Sequence, residues 1–179
     1  MSKLRVLATM PLALAMLTST FVHAETATYP LAADVSSIDG LMKAYYDIVS
    51  GPGSQVRDVA RDKSIHHPDA RVFYPGSASD GSARVTVMSV EEYHRNSAAA
   101  FKEGFYEKEV ERTVRQFGPS VHVWSTYESR KTPDGPVIAR GINNLILLFD
   151  GKRYSILAET FGRESSDNPL PPLQANSKN

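Results

Sequence analysis

The chain has 179 residues, with 20 Lys and Arg against 20 Asp and Glu, so its formal net charge is zero. This balance leaves no basic surplus to attract nucleic acid or an anionic membrane surface. Cysteine is absent, which excludes disulfides, thiol catalysis and thiolate metal sites.

The first 24 residues have the pattern of a secretory signal peptide. Lys3 and Arg5 precede an apolar run, and Val22-His23-Ala24 places small side chains at the first and third positions that a signal peptidase reads. A membrane anchor is the alternative, but a spanning helix needs about 20 predominantly apolar residues, and Thr and Ser interrupt this run. We predict cleavage after Ala24 and a bacterial periplasmic or secreted protein that no longer contacts the membrane. The mature chain would hold 18 basic and 20 acidic residues.

After a linker over residues 25–34, the pattern predicts a single domain over 35–163 that begins with three helices. The first has an apolar stripe at spacings of three and four, a weak cap at Ser36, and an end at Gly51-Pro52-Gly53. Its stripe consists of Ile38, Leu41, Met42, Tyr45, Ile48 and Val49. A second helix is expected over 54–63. The third begins at a capping box formed by Ser89 and Glu92 and runs to about Phe101.

Strands dominate the rest of the domain. Short strands are predicted over 70–74 and 84–88, and long ones over 107–117, 120–130, 137–149 and 152–161, all rich in β-branched and aromatic residues. Asp150-Gly151 is a two-residue hairpin signal. Linked hairpins predict an α+β fold, with a curved antiparallel sheet that needs helices on one face. The polar, proline-broken residues 164–179 are predicted to be a disordered tail.

Two segments carry a family resemblance. His67-Pro68-Asp69-Ala70-Arg71-Val72 resembles the entry to the first strand of the nuclear transport factor 2-like superfamily, which includes the SnoaL-like domains. Arg140-Gly141-Ile142-Asn143-Asn144 and the following residues to 156 resemble its closing hairpin. The resemblance covers about residues 35–163. It implies a sheet wrapped as a cone around a pocket, with three helices in the N-terminal half, a homodimer formed through the sheet, and a small apolar ligand.

The resemblance also allows a test for steroid isomerisation, since ketosteroid isomerases belong to this superfamily. These enzymes need a carboxylate base after the first strand and a protonated Asp in an oxyanion hole. The aligned positions hold Tyr74 and Leu145 instead. Isomerisation by that mechanism is therefore not expected.

Glu159 and His67 are the candidate catalytic residues. Glu159 has apolar neighbours, so burial could raise its pKa as an acid/base catalyst requires. The alternative for Glu159 is an ion pair with Arg140 or Arg163. In His66-His67-Pro68-Asp69, at most one ring is expected to face inward, and we favour His67 from its offset before the strand. The alternative there is an ordinary loop in which Asp69 caps the backbone.

Side chains at alternating strand positions and on two helices are expected to contact the ligand: Tyr46, Tyr93, Trp124, Asn143, Leu145 and Phe161. No His pair has the spacing of a known metal site, and no nucleotide fingerprint occurs, so neither a metal nor a cofactor is expected.

These residues are compatible with three functions. The domain could bind a small apolar or aromatic molecule without chemistry, or it could be a cofactor-free lyase, isomerase or hydrolase that uses Glu159 or His67. A buried Glu159 within hydrogen-bond reach of His67 or a pocket tyrosine would favour the enzyme. The third possibility is a protein partner on the sheet, which a pocket plugged by Trp124 and Phe161 would favour.

Overall fold

The computed structural model describes residues 28–173, which form four α-helices, a short 3-10 helix and six strands. The helices are α1 (Ala32–Val35), α2 (Ile38–Val49), α3 (Val59–Ile65) and α4 (Val90–Ser97), and the 3-10 helix is Ala100–Glu103. The strands are β1 (His66–Ser77), β2 (Ala83–Met88), β3 (Tyr106–Phe117), β4 (Ser120–Arg130), β5 (Ala139–Phe149) and β6 (Tyr154–Arg163). None of these helices is long and apolar enough to cross a membrane.

The six strands form one curved, open sheet in the order β2-β1-β6-β5-β4-β3. Strands β3 to β6 form the predicted antiparallel meander, and β1 pairs antiparallel with β2. The pairing of β1 with β6 is parallel, so the sheet is mixed rather than wholly antiparallel. After β2 the chain crosses through α4 to the far edge, and the meander brings β6 back in the direction of β1. Shifts of register near Val110 and Leu157 mark bulges, which increase the bend of their strands.

Helix α2 fills the concave face of the sheet. Its apolar stripe is buried as the spacing predicts, with Leu41 and Met42 almost inaccessible to solvent. These side chains belong to one apolar cluster with inward residues of β4, β5 and β6, among them Val123, Leu145 and Ile156. The helix begins at a different cap from the predicted one, because the side chain of Ser37, not Ser36, accepts the backbone N–H of Gly40 at 3.0 Å.

The second predicted helix begins later than expected, since α3 begins at Val59 with Asp58 as its cap. The preceding loop is held by Arg57, a buried side chain whose guanidinium donates to the carbonyls of Val49 and Gly51, each at 2.9 Å. The same guanidinium lies over the Phe101 ring, 4.9 Å from its centroid. Arg57 thus donates to backbone carbonyls at the end of α2, where no following helical N–H is available to them. The capping box of α4 is present as predicted.

The ends of the domain differ from the predicted boundaries. Helix α1 begins inside the predicted linker, because Asp34 is buried and accepts two hydrogen bonds from Arg61, at 2.7 and 2.8 Å. At the other end, Ser165 pairs with Asn168 in an isolated bridge, so the start of the predicted tail forms a hydrogen-bonded turn. The predicted signal peptide over residues 1–24 lies outside the described residues.

Candidate functional site

A cavity of about 850 Å³ opens between helix α4 and the concave face of the sheet. We call it the aromatic cavity, because its lining contains six aromatic side chains: Tyr74, Tyr93, Phe101, Phe105, Tyr127 and Phe161. The Phe161 ring makes edge-to-face contacts with Tyr74 and Tyr93, at centroid distances of 5.3 and 5.9 Å. Phe101 and Phe105 pack against each other at 5.4 Å. A cavity of this size with apolar walls and few polar groups is the usual form of a small-molecule site.

Glu107, at the start of β3, is the carboxylate that lines this cavity. Burial raises its pKa to about 7, and the charge of Glu159 acts in the same direction, while a hydrogen bond from Asn143 opposes both. Asn143 Nδ2 donates to Glu107 Oε1 at 2.7 Å. Glu107 therefore changes its charge near neutral pH inside an apolar cavity.

A chain of hydrogen bonds below the cavity fixes the position of Glu107. Asn143 Nδ2 also donates to the Tyr46 hydroxyl at 3.3 Å, and that hydroxyl lies 2.7 Å from Ser125 Oγ. Ser125 donates its own proton to Glu109 Oε1 at 2.5 Å, so Tyr46 must donate to Ser125. All five residues of this chain, from Glu107 to Glu109, have a defined donor or acceptor role, which holds the amide of Asn143 in one orientation.

A second buried polar cluster lies behind the cavity and contains two histidines. His94 Nε2 is 2.6 Å from Asp62 Oδ2, and His66 Nδ1 is 2.7 Å from the Asp62 carbonyl oxygen. His66 Nε2 points at Glu159 Oε1 from 3.8 Å, a distance that allows an ion pair but no hydrogen bond. Burial lowers the pKa of His66, but Glu159 and Asp62 outweigh it and raise the pKa to about 9. The His66 ring is therefore an imidazolium between two carboxylates at neutral pH.

No protein-family model matches the chain, and no curated protein sequence matches it. Solved structures do match. An uncharacterised protein with a cystatin-like fold from Caulobacter vibrioides has a TM-score of 0.51 at 16% identity, covering 73% of this chain and 89% of that one. Yeast Bre5, a UBP3-associated protein, has a TM-score of 0.52 at 12% identity, covering 72% and 94%. An NTF2-like protein of unknown function from Shewanella baltica OS155 scores 0.46 at 11% identity, covering 70% and 90%.

The chain has the nuclear transport factor 2-like fold. The fold that the two sequence segments predict is thereby confirmed, and at these identities the comparison shows the fold alone. Within residues 28–173, no group of three or more His, Asp and Glu side chains is placed to hold a metal ion.

The two candidate catalytic residues, Glu159 and His67, lie in different surroundings. Glu159 is buried, and it pairs with neither Arg140 nor Arg163 but faces His66. The choice of His67 as the inward ring is wrong, because His66 is 5% exposed whereas the His67 side chain is 34% exposed and lies 3.7 Å from Asp69. The strand begins at His66, four residues earlier than predicted, and strand alternation turns His67 outward.

The six predicted ligand contacts separate into four groups. Tyr93 and Phe161 line the aromatic cavity, while Tyr46 and Asn143 lie beneath it and hold Glu107. Leu145 is fully buried in the apolar core rather than in the lining. Trp124 is on the convex face and 41% exposed, since the neighbouring Ser125 points inward to Tyr46. Trp124 therefore does not plug the cavity.

Sequence reasoning missed Glu107, although a signal for it exists. Glu107 and Glu109 occupy alternate positions of a predicted strand, so both must share one face. That face is the concave one, because Glu109 accepts from Ser125 and Glu107 from Asn143.

Proposed function

We propose that this protein is an exported small-molecule-binding domain that holds an apolar or aromatic ligand in the aromatic cavity. The observation that carries the proposal is the cavity itself, about 850 Å³ in volume, with six aromatic side chains and Glu107 in its lining. Export is supported by the basic, apolar and small-residue order of residues 1–24. A ligand that buries roughly 200 Å² of apolar surface gains about 5 kcal/mol, before the entropic cost of binding.

The enzymatic alternative depends on a proton-transfer group that reaches the ligand. Neither Glu159 nor His67 lines the aromatic cavity, and Glu159 instead contacts His66 behind it. Glu107 does line it, and its pKa of about 7 is in the range where an acid/base catalyst works at neutral pH. An enzyme built on this cavity would thus use Glu107.

Expression of the full chain in a bacterial host, followed by native mass spectrometry of the periplasmic fraction, tests the proposal. We expect a protein that begins at Glu25, together with a non-covalent adduct of a small molecule that organic extraction releases. Protein retained in the cytoplasm with residues 1–24 intact would contradict export. A clean apo protein that binds nothing in a panel of hydrophobic ligands would contradict the binding function. Conversion of the extracted ligand to a new mass on incubation with the protein would favour the enzyme.

We also propose that two copies of the domain pair through the convex face of the sheet. Three large apolar side chains are exposed there on adjacent strands, Trp124, Ile146 and Leu157, with exposed fractions of 41, 37 and 36%. Ile146 lies opposite His122 and Ala158 in the register, which places it at the middle of the sheet. Several large apolar side chains exposed near the centre of one sheet face favour an interface between subunits.

Replacing Ile146 with Lys should convert the dimer to a monomer, because a buried, unpaired ammonium opposes association by several kcal/mol. Sedimentation velocity over a range of concentrations measures the change. Val56→Lys is the matched control, since Val56 is 90% exposed on the loop before α3, away from the convex face. A wild-type protein that sediments as a monomer at all concentrations would contradict the dimer.

A further inference from the structure

The aromatic cavity contains a carboxylate that a purely apolar ligand would leave with one oxygen unpaired. Glu107 Oε1 accepts from Asn143, whereas Oε2 makes no hydrogen bond within residues 28–173. Covering an ionised carboxylate with apolar surface costs several kcal/mol unless a charge or donor pairs with it. An apolar ligand would therefore force Glu107 to take up a proton, whereas a ligand with a complementary charge would pair with the ionised carboxylate.

The walls around Glu107 favour one kind of complementary group. The face of an aromatic ring is electronegative, and rings arranged edge-to-face present their faces in different directions around a common space. Phe161 has this arrangement with both Tyr74 and Tyr93. Organic cations bind to such ring faces, with about 0.5–2 kcal/mol per contact, and the aromatic cage is the established form of site for quaternary ammonium groups.

The charges near the cavity also favour a cation. Burial raises the pKa of the Tyr93 hydroxyl, and the negative charges of Glu159 and Glu107 act in the same direction, so both carboxylates are close enough to this wall to affect it. Arg163 is the other charged side chain in the lining. It is exposed, so water weakens its charge, and its Nη2 donates to the Ile138 carbonyl at 2.7 Å. Burial raises the pKa of Tyr127 and the charge of Arg163 still opposes this larger effect, so a cation is expected on the Glu107 side of the cavity.

We propose that the ligand of the aromatic cavity is an organic cation, a quaternary ammonium or protonated amine joined to an apolar group, with its positive charge beside Glu107. This inference rests on the proposed binding function and specifies its ligand class. The cation contacts the faces of Tyr93 and Phe161, pairs with the free Oε2 of Glu107, and keeps Glu107 ionised. The apolar group occupies the space toward Phe101 and Phe105.

Two probes of nearly equal shape separate the contribution of charge from that of apolar contact. Benzyltrimethylammonium carries a quaternary nitrogen where neopentylbenzene carries a quaternary carbon, and ligand-detected NMR titration gives a Kd for each. We expect the wild-type protein to bind the cation at least tenfold more tightly than the hydrocarbon. Glu107→Gln, which retains the acceptor for Asn143, should weaken the cation at least tenfold and tighten the hydrocarbon, because an ionised carboxylate no longer has to be covered by apolar surface. The matched control is Glu128→Gln, on the convex face, which should change neither Kd.

A second variant keeps the test independent of Glu107. Phe161→Leu retains an apolar side chain but removes a ring face, so it should weaken the cation at least threefold and the hydrocarbon much less. Equal or tighter binding of the hydrocarbon by the wild-type protein overturns the cation inference and leaves the binding function intact. An unchanged cation Kd in Glu107→Gln overturns the role of Glu107. Failure of both probes to bind counts against the aromatic cavity as a ligand site, and so against the proposed function itself.

Discussion

Replacing Asp62 with Ala should destabilise the domain by about 3–5 kcal/mol, the range found when one partner of a buried ion pair is removed. Asp62 is 5% exposed and is shared by two buried histidines, His94 through its carboxylate at 2.6 Å and His66 at 3.4 Å. The substitution leaves His94 Nε2 without its partner and takes one of two carboxylates from the His66 imidazolium. Urea unfolding followed by circular dichroism measures the loss.

The cost of Asp62→Ala should also depend on pH. Folding raises the pKa of His66 from 6.5 to about 9, so the protonated ring stabilises the fold fully below pH 6.5, and this contribution is lost as the pH rises through 9. A change of this size corresponds to about 3 kcal/mol. Asp62 supplies part of the attraction that raises this pKa. The difference between wild type and variant should therefore be largest below pH 6.5 and smaller above pH 9.

Asp69, which also lies beside a histidine, provides the matched control for this prediction. Asp69 Oδ2 lies 3.7 Å from His67 Nδ1, but the Asp69 side chain is 84% exposed. Asp69→Ala should cost less than about 0.5 kcal/mol, because water screens an exposed pair. Equal losses in the two variants, or a pH-independent loss in Asp62→Ala, would contradict the buried cluster.

The two histidines also show where prediction from sequence succeeded and where it could not. The hairpins of the meander were predictable because turn chemistry is local: at Asp150-Gly151, the glycine has a positive φ of 93°, as the two-residue turn requires. The inward ring of the His66-His67 pair was not predictable, since it depends on where β1 begins. That position is determined by a parallel pairing of His66 with Ile156, which is 90 residues later in the chain.

The site was less predictable than the fold for the same reason. Tyr93 and Phe161 were identified because they lie at inward positions of elements with a clear period, and both line the cavity. Trp124 was assigned to the wrong face, because a strand of β-branched and polar residues gives no sign of which side is buried. The role of Glu107 depends on Asn143, which is 36 positions away in sequence and on a strand that is not its neighbour.

Glu107→Gln should make the domain more stable at pH 8, by about 3 kcal/mol, although it removes the charge on which cation binding depends. Folding raises the pKa of Glu107 from 4.5 to about 7. Below pH 4.5 the acid is protonated in both the folded and the unfolded chain and costs no stability. Stability is lost as the pH rises from 4.5 through 7, where the folded protein must hold the ionised carboxylate. Gln cannot ionise, and its carbonyl oxygen can still accept from Asn143. The gain should therefore be present at pH 8 and nearly absent at pH 4.5 in urea unfolding.

Glu109→Gln is the control that separates this effect from a general benefit of removing an acid from β3. Glu109 accepts from Ser125 at 2.5 Å and lies 3.6 Å from Arg112, so its ionised form has partners that Glu107 lacks. Its replacement should reduce stability at pH 8. A carboxylate that destabilises the folded protein at neutral pH is a poorer structural residue than Gln would be at the same position. Destabilising groups of this kind are concentrated at functional sites. Loss of stability in Glu107→Gln at pH 8 would contradict this and would make Glu107 a structural residue.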